Sequence, residues 1–238
     1  MRKIYITSGK KKDGKTFVSA GLSATMQSLG YSTAVYKPFQ TNSIEKNGFM
    51  QSPDLTFIKT MDPYINTYCT YLFKLKTEPI IAAEAENEFI DIELIHQEYN
   101  RILSSSDCIV VDGDCGLMSP ISPSIQTVDM LKKIQVPILF TISPSEDSIN
   151  DTLLSIYTAQ EKGVAIRGVV INNIKDDCSK ELLTATTRVI EEYSNVNILG
   201  LIPYLGEKVK PEDLINAVLN GVDIESVFNI KIEKLDIN

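Results

Sequence analysis

The sequence feature that most constrains this chain is a glycine- and lysine-rich loop near its start, GKKKDGKT, at residues 9–16. It fits the pattern G-x-x-x-x-G-K-[ST]. A short apolar run precedes it at residues 3–7, and residues 16–29 repeat apolar side chains at helical spacing until Gly30. The loop is therefore predicted to leave a strand and to open a helix, which is the setting that this pattern needs.

In that setting the loop is predicted to bind the phosphates of ATP. Backbone N–H groups of such a loop wrap phosphate oxygens, and the helix N-terminus adds partial positive charge. Lys15 is expected to reach the β and γ oxygens, and the Thr16 hydroxyl to coordinate Mg²⁺. A lysine-rich surface turn that matches by chance is the alternative. The candidate phosphate-binding residues are Gly9, Lys10, Lys12, Asp13, Gly14, Lys15 and Thr16.

The rest of the chain alternates apolar runs with amphipathic segments. The predicted strands are residues 3–7, 32–36, 108–112, 137–142, 167–171 and 197–201. The predicted helices are residues 16–29, 54–60, 90–103, 128–134, 148–162 and 180–193. This alternation is typical of an α/β fold with a mostly parallel sheet covered by helices on both faces. With no repeat or linker, we expect one P-loop NTPase-like domain over residues 1–238.

Composition narrows the function classes. The 238 residues carry a formal net charge of −8, which argues against a phosphate-tracking nucleic-acid surface. The four cysteines have no C-x-x-C spacing, so neither a zinc ribbon nor a redox pair is indicated. No segment reaches the roughly 18 apolar residues of a membrane span. We therefore expect a cytoplasmic protein without a membrane or nucleic-acid partner.

Two aspartates are candidate metal ligands beside Thr16. Asp112 ends an apolar run and precedes Gly113, so we expect it at the carboxyl end of a strand, where an open α/β sheet places its binding groups. Asp54 follows Pro53 and is either a second ligand or a helix cap.

With these features in this order and spacing, the chain resembles dethiobiotin synthetases, a family within the MinD-like and cobyrinate-synthase-like P-loop proteins. The segments that carry the resemblance are the phosphate loop, Tyr36-Lys37-Pro38, Asp54 and Val110-Val111-Asp112-Gly113. Residues 7–16 align without gaps with the family's first loop, and residues 36–42 align with its Tyr-Lys-Pro-Val-x-Ser-Gly segment. The resemblance extends from residue 1 to about residue 205.

The resemblance implies roles for further residues. Lys37 and Thr41 fall at the positions that contact a substrate carbamate, and Asp54 and Asp112 at the acidic metal ligands. Asn172 falls at the adenine-contacting asparagine, and the segment with Pro203 and Tyr204 resembles the family's Ile-Pro-Trp-Leu near the base. The implied activity is an ATP- and Mg²⁺-dependent ligase acting as a homodimer. It would carboxylate 7,8-diaminopelargonate, a diamine, with carbon dioxide and close a cyclic urea, as in biotin biosynthesis.

Departures from the family pattern fall mainly on the substrate side. The family's Glu-Gly-Ala-Gly-Gly becomes Asp112-Gly-Asp-Cys-Gly116, which adds a second acid. Its Pro-His pair becomes Pro79-Ile80, and Asp147 stands at a helix start that receives the substrate carboxylate in the family. A capping Asp would repel that carboxylate.

The basic run at residues 10–12 is a further departure. Lys10 lies where MinD and ParA relatives carry a lysine that reaches the partner's nucleotide, so it either contacts phosphate or belongs to a solvated turn. For Lys11 and Lys12 a solvated turn is the favoured interpretation. Two other functions therefore stay open, a MinD-like or ParA-like switch ATPase and a paralogue that uses a different amine.

Overall fold

The structure is a computed structural model, described here for residues 2–144 and 148–232. Its strands are β1 (Arg2–Thr7), β2 (Thr33–Gln40), β3 (Ile44–Lys46), β4 (Phe49–Gln51), β5 (Asn66–Leu72), β6 (Cys108–Asp112), β7 (Pro120–Ser122), β8 (Ile125–Gln126), β9 (Ile138–Ile142), β10 (Ile166–Ile174) and β11 (Ile198–Pro203). Its helices are α1 (Lys15–Ser28), α2 (Pro53–Met61), α3 (Pro79–Ala85), α4 (Ile92–Ser104), α5 (Thr127–Ile134), α6 (Ser148–Glu161), α7 (Lys180–Ser194), α8 (Pro211–Gly221) and α9 (Ile224–Phe228).

Seven of these strands form one sheet in the order β11-β10-β9-β1-β6-β2-β5. Every neighbouring pair in it is parallel. The remaining strands form two antiparallel hairpins, β3 with β4 and β7 with β8. The predicted α/β class with a parallel sheet is confirmed.

Apolar side chains cover both faces of the sheet, because its strands alternate between two cores. On β1, Ile4 and Ile6 are buried against α1, α2, α8 and α9. Tyr5 points to the other core, which α4, α5, α6 and α7 cover. The helices thus lie on both faces, as the sequence pattern predicts.

The chain order reverses around β1, which lies between β9 and β6. In open α/β sheets the crevice at such a switch point, beyond the carboxyl ends of the strands, is where ligands bind. Ile6 of β1 is level with Asp112 of β6, and Tyr36 of β2 is level with Val111. The ends of β1, β6 and β2 therefore bring the phosphate loop, Asp112 and Lys37 to one edge.

The strand predicted at residues 32–36 is longer in the structure, where β2 runs through Pro38 to Gln40. A proline inside a sheet normally costs a ladder hydrogen bond. Here β2 pairs with β6 only through Tyr36, and β6 ends at Asp112. Past that point β2 pairs with β5 alone, so the missing N–H of Pro38 breaks no pairing with β6.

Within residues 2–144 and 148–232, no helix is both long and apolar enough to cross a membrane.

Candidate active site

The phosphate loop connects β1 to α1 at the carboxyl edge of the sheet. Gly14 is the N-cap of α1 and has a φ of 76°, a left-handed conformation that favours glycine. A Cβ there would also lie 2.6 Å from Asn172 Oδ1. Since glycine has no side chain to cap the helix, the first amides of α1 are left to receive an anion.

Lys15 points its ammonium into this loop. Its Nζ donates to Ser8 Oγ at 3.2 Å, and Ser8 Oγ donates to the carbonyl of Lys10 at 2.6 Å. Burial lowers the pKa of Lys15. The Asp112 carboxylate acts to raise this pKa, and the nearby Lys37 ammonium lowers it further. A phosphate bound in the loop would supply a counter-charge to the Lys15 ammonium.

Lys37 is completely buried and is surrounded by three carboxylates. Its Nζ lies 2.7 Å from Asp54 Oδ2, 2.8 Å from Asp112 Oδ2 and 3.6 Å from Asp114 Oδ1. Burial alone would lower the pKa of Lys37, but these carboxylates raise it well above its usual value. Lys37 is thus held as an ammonium in the interior.

Asp112 also accepts two hydroxyl groups from α1. Ser19 Oγ donates to Oδ1 at 2.7 Å, and Thr16 Oγ1 donates to Oδ2 at 3.3 Å. These bonds and Lys37 compensate a carboxylate with 0% side-chain exposure. Asp112 therefore ties β6 to the first turns of α1.

Asp54 lies in the first turn of α2 and is not its cap. The cap is Ser52, whose side chain accepts the N–H of Leu55 at 3.1 Å. Burial tends to raise the pKa of Asp54, but Lys37 and hydrogen bonds from Gln40 and Thr16 hold it below its usual value. Asp54 is left as a carboxylate directed at the site.

The oxygens of Thr16, Asp54 and Asp112 fit the chemistry of a hard divalent cation such as Mg²⁺, which takes oxygen ligands. Thr16 contacts both carboxylates, so the three potential ligand oxygens lie close together. Over residues 2–144 and 148–232, no group of three or more His, Cys, Asp or Glu side chains is placed to hold a metal. Since Mg²⁺ commonly binds one or two carboxylates with phosphate oxygens and water, this donor set suits a nucleotide-bound ion.

A cavity of about 340 Å³, the phosphate cavity, lies beside these groups. Its lining includes the loop residues Lys11, Lys12, Gly14, Lys15 and Thr16 and, from other elements, Phe17, Gln40, Thr41, Asn42, Asp54, Lys76, Thr77, Gly113, Asp114 and Cys115. Of the predicted site residues, Lys15, Thr16, Thr41 and Asp54 line this cavity, whereas Lys37 and Asp112 are fully buried and do not line it.

A second cavity of about 240 Å³, the base cavity, shares Lys12, Gly14 and Phe17 with the phosphate cavity. Phe17 and Phe57 stack in its wall with centroids 6.5 Å apart. The further lining is Ser143, Asn172, Asn173, Pro203, Tyr204, Leu205, Gly206, Glu207 and Val209. Its aromatic wall suits a planar ring.

Asn172 joins the loop to the base cavity. Its Nδ2 donates to the carbonyl of Asp13 and to Thr141 Oγ1, each at 2.6 Å. A carbonyl only accepts, so this contact fixes which amide atom is nitrogen and leaves Oδ1 as an acceptor.

Asp13 is buried inside the loop, where backbone hydrogen bonds reach it from Ser143 and Lys10. Burial raises its pKa to about 6. Its side chain thus supports the shape of the loop, and its backbone is the part left to meet a ligand.

The lysine run is exposed at Lys11 and Lys12 and half-buried at Lys10. Lys12 is exposed and adopts φ 73°, which is uncommon outside glycine, and it lines both cavities. Lys11 is also exposed, and its Nζ lies 3.3 Å from Glu78 Oε1. Lys10 and Gly9 are half-buried, and a Cβ on Gly9 would lie 2.4 Å from the backbone of Asp151.

Of the two departures from the family pattern at Ile80 and Asp147, only Ile80 lies within the described residues. Ile80 lies half-buried in the first turn of α3. Asp147 lies outside the described residues.

Three groups at the site were not singled out from the sequence. Gln40 bridges Ser52 and Asp114, Ser19 holds Asp112, and Phe57 faces Phe17. The i+4 position of Ser19 after Lys15 was a usable signal, because it lies on the same face of α1. Gln40 and Phe57 come from other segments and carry no local signal.

Comparisons with known proteins identify the family of this chain. The model of an AAA domain family, AAA_26, matches residues 2–212. The chain belongs to this family. It is 28% identical over 218 residues to an ATP-dependent dethiobiotin synthetase BioD of Bacillus cereus (strain G9842), covering 91% of this chain and 90% of the relative. The corresponding protein of Bacillus thuringiensis (strain Al Hakam) matches with the same identity and coverage. The resemblance to dethiobiotin synthetases is confirmed.

Solved structures show the same fold at lower identity. The MinC:MinD cell division protein complex of Aquifex aeolicus matches with a TM-score of 0.59 and 17% identity, covering 98% of this chain and 99% of that one. MinD of Pyrococcus horikoshii OT3, complexed with Mg-ADP, matches with a TM-score of 0.58 and 18% identity over 91% and 86%. These structures confirm the P-loop α/β fold.

Proposed function

We propose that this protein is an ATP-dependent dethiobiotin synthetase, a ligase that carboxylates 7,8-diaminopelargonate and closes a cyclic urea. One observation carries the proposal: Lys15, Thr16, Thr41 and Asp54 line a single cavity, which continues past Gly14 into the base cavity. The dethiobiotin synthetases among the relatives support the same reaction class.

ATP is proposed to lie across both cavities. Its triphosphate would meet the first amides of α1, Lys15 and the exposed Lys12, while the base would lie against Phe17 and near Asn172. The acceptor Oδ1 of Asn172 suits the exocyclic amine of adenine. Pro203 and Tyr204 would close the other side of the base.

Magnesium is proposed to be held by Thr16, Asp54 and Asp112, where it would neutralise charge on the phosphates. The same oxygens of Asp54 and Asp112 contact Lys37. Lys37 thus stands at the junction between the nucleotide and the substrate.

The reaction brings two anions together, a carbamate and a triphosphate. One substrate amine adds to carbon dioxide and loses a proton, which gives the carbamate. A carbamate oxygen takes the γ-phosphoryl group and ADP leaves; the second amine then attacks the carbamoyl carbon, phosphate departs and the nitrogen loses its proton. Lys15 and Lys37 supply the fixed positive charge for these steps in a site with little water. Positioning supplies much of the rest, as in other phosphoryl transfers.

The test is phosphate release from ATP with Mg²⁺ and bicarbonate, with and without the diamine. Release should depend on the diamine, and Lys15→Ala should abolish it. Lys162→Ala removes an exposed lysine just beyond α6 and is the matched control, which should keep full activity. Unchanged release by Lys15→Ala would contradict the role of the phosphate loop.

A MinD-like switch ATPase is the second candidate, favoured by the position of Lys10 in the loop and by the fold it shares with MinD. Such a protein would hydrolyse ATP without the diamine. Diamine-independent release would support it over the ligase. A homodimer in the cytoplasm, formed by single-domain chains, is proposed with the ligase.

A further inference from the structure

Asp114 is a carboxylate that the dethiobiotin synthetase pattern lacks, and it faces the phosphate cavity. It follows β6 two residues after Asp112, at the position of the family's alanine. Its side chain is 9% exposed, and it lines the cavity together with Thr41 and Gln40. It is therefore placed to contact whatever lies beyond the phosphates.

Hydrogen bonds to Asp114 use the donors of the neighbouring wall. Thr41 donates twice to Asp114 Oδ2, from its hydroxyl at 2.7 Å and from its backbone N–H at 3.3 Å. Gln40 Nε2 donates to Asp114 Oδ1 at 3.3 Å and to the carbonyl of Thr41 at 2.8 Å. Gln40 Oε1 in turn accepts the hydroxyl of Ser52 at 2.5 Å.

The hydrogen-bond donors of Thr41 and Gln40 in this part of the cavity wall are already used. A threonine has one hydroxyl proton and one backbone proton, and both are directed at Asp114. The two protons of the Gln40 amide are also used. Both lone pairs of Asp114 Oδ2 accept Thr41 protons and one lone pair of Oδ1 accepts Gln40, so the acceptors left for a ligand are Thr41 Oγ1 and the second lone pair of Asp114 Oδ1.

The charge of the surroundings adds to this polarity. Asp114 is the third carboxylate around Lys37, with its Oδ1 3.6 Å from Lys37 Nζ. Acceptors on a carboxylate and on the hydroxyl next to it repel another carboxylate at that point of the wall and attract an N–H donor.

We propose that Asp114, with the Thr41 hydroxyl that it orients, is a specificity-determining group that binds an aliphatic amine of the substrate. The identity of the reaction rests on the proposed function, and the amine subsite adds to it. Because its hydroxyl proton goes to Asp114, Thr41 is an acceptor here and not the carbamate donor that the family resemblance implies. The two oxygens receive the N–H groups of the amine that does not carry the carbamate. A substrate with a hydroxyl or carboxylate in that place is disfavoured.

The experiment compares Asp114→Asn and Asp114→Ala with the wild-type protein. Asp114→Ala installs the small residue of the family pattern and guards against a variant that fails to fold. Asp176→Asn, which changes an exposed Asp outside both cavities, is the matched control. The thermal midpoint of each variant and its KM for ATP report whether the fold and the nucleotide site are intact.

Two readouts are taken with 7,8-diaminopelargonate, the KM in diamine-dependent phosphate release and the Kd by calorimetry on the protein loaded with Mg-ADP. Both the KM and the Kd should rise about ten- to hundredfold in Asp114→Asn and Asp114→Ala, because each variant loses a charge-assisted hydrogen bond to the amine. The KM for ATP should change by less than about threefold, and the control should match the wild type.

The two readouts separate this inference from the proposed reaction. Phosphate release by the wild type that is independent of the diamine, together with diamine binding that the Asp114 variants lose in calorimetry, would mean that the proposed reaction is wrong and the amine subsite is right. If the diamine drives release but its KM and Kd are the same in all variants, the amine subsite is wrong. Wild-type protein that binds no diamine also overturns the subsite.

Discussion

Replacing Lys37 by methionine tests the arrangement of charges at the centre of the site. Methionine keeps an unbranched apolar stem, so the change removes the ammonium with little loss of packing. It leaves Asp112, with no exposed side-chain area, and Asp54, with 30% of its side chain exposed, without their common partner. Breaking a buried ion pair from one side costs about 3–5 kcal/mol. Because Asp54 keeps access to water, we expect about 3 kcal/mol here.

Urea unfolding of the nucleotide-free protein measures this cost. With an m-value of about 3 kcal/mol/M, the midpoint should fall by about 1 M. The double variant Lys37→Met/Asp112→Asn should recover much of the loss, since it also removes the buried negative charge. Mg²⁺ should stabilise Lys37→Met more than the wild type, because the ion supplies the missing positive charge.

The matched control is Lys74→Met, which breaks the exposed pair of Lys74 with Glu45 at 3.0 Å. Exposed pairs contribute about 0–1 kcal/mol, so its midpoint should hardly move. A loss below about 1 kcal/mol in Lys37→Met, or no recovery in the double variant, would refute the account of Lys37 as the charge that holds these carboxylates together.

Three further changes have defined outcomes. Gly14→Ala should lose ATP binding in equilibrium titrations and should destabilise the fold by about 1–3 kcal/mol. Alanine at φ 76° is strained, and its Cβ would meet Asn172. ATP affinity equal to that of the wild type would contradict this prediction. Phe57→Ala should raise the KM for ATP several-fold without changing the KM for the diamine, because the Phe57 ring lines the base cavity beside Phe17. Equal changes in both constants would argue against that position of the base. Asp13→Asn should stabilise the nucleotide-free protein above pH 6, by on the order of 1–3 kcal/mol. The folded pKa of Asp13 is raised to about 6 from 3.8, so its contribution is present below pH 3.8 and is lost as pH rises to about 6. The advantage of the variant in chemical unfolding should grow over that range and then stay constant, and an advantage independent of pH would contradict the assignment.

The phosphate loop and the fold class could be predicted because their signals are local. The pattern at residues 9–16, the strand before it and the helix after it are contiguous in the chain. The alternation of apolar strands and amphipathic helices likewise identified the sheet. Hydrophobic periodicity is the strongest signal that a single sequence carries.

Two elements, β5 and α8, were not predicted from the sequence. β5 is a strand at the edge of the sheet with mostly half-buried residues, and it was not predicted. α8 was not predicted either, although Pro211 and the two acids in its first turn, and the buried pair Leu214 and Val218 at i, i+4 spacing, are local helix signals. The placement of β5 depends on packing against partners distant in sequence, which local periodicity does not report.

The site shows the same division. Lys15 and Thr16 follow from the loop, whereas Lys37 and Asp112 lie 75 residues apart and meet because β6 inserts between β1 and β2. Asp114 was recognised from the sequence only as an additional acid. Its hydrogen bonds with Thr41 and Gln40, which give the wall its polarity, depend on that strand order.

The most direct test of the ligase is the fixation of labelled bicarbonate. The purified protein is incubated with ATP, Mg²⁺, 7,8-diaminopelargonate and ¹⁴C-bicarbonate, and acid-stable label is measured beside ADP. Acid-stable label in a cyclic urea is expected, formed in equal amount to ADP and absent without the diamine. ADP formed without the diamine, with no acid-stable label, would contradict it.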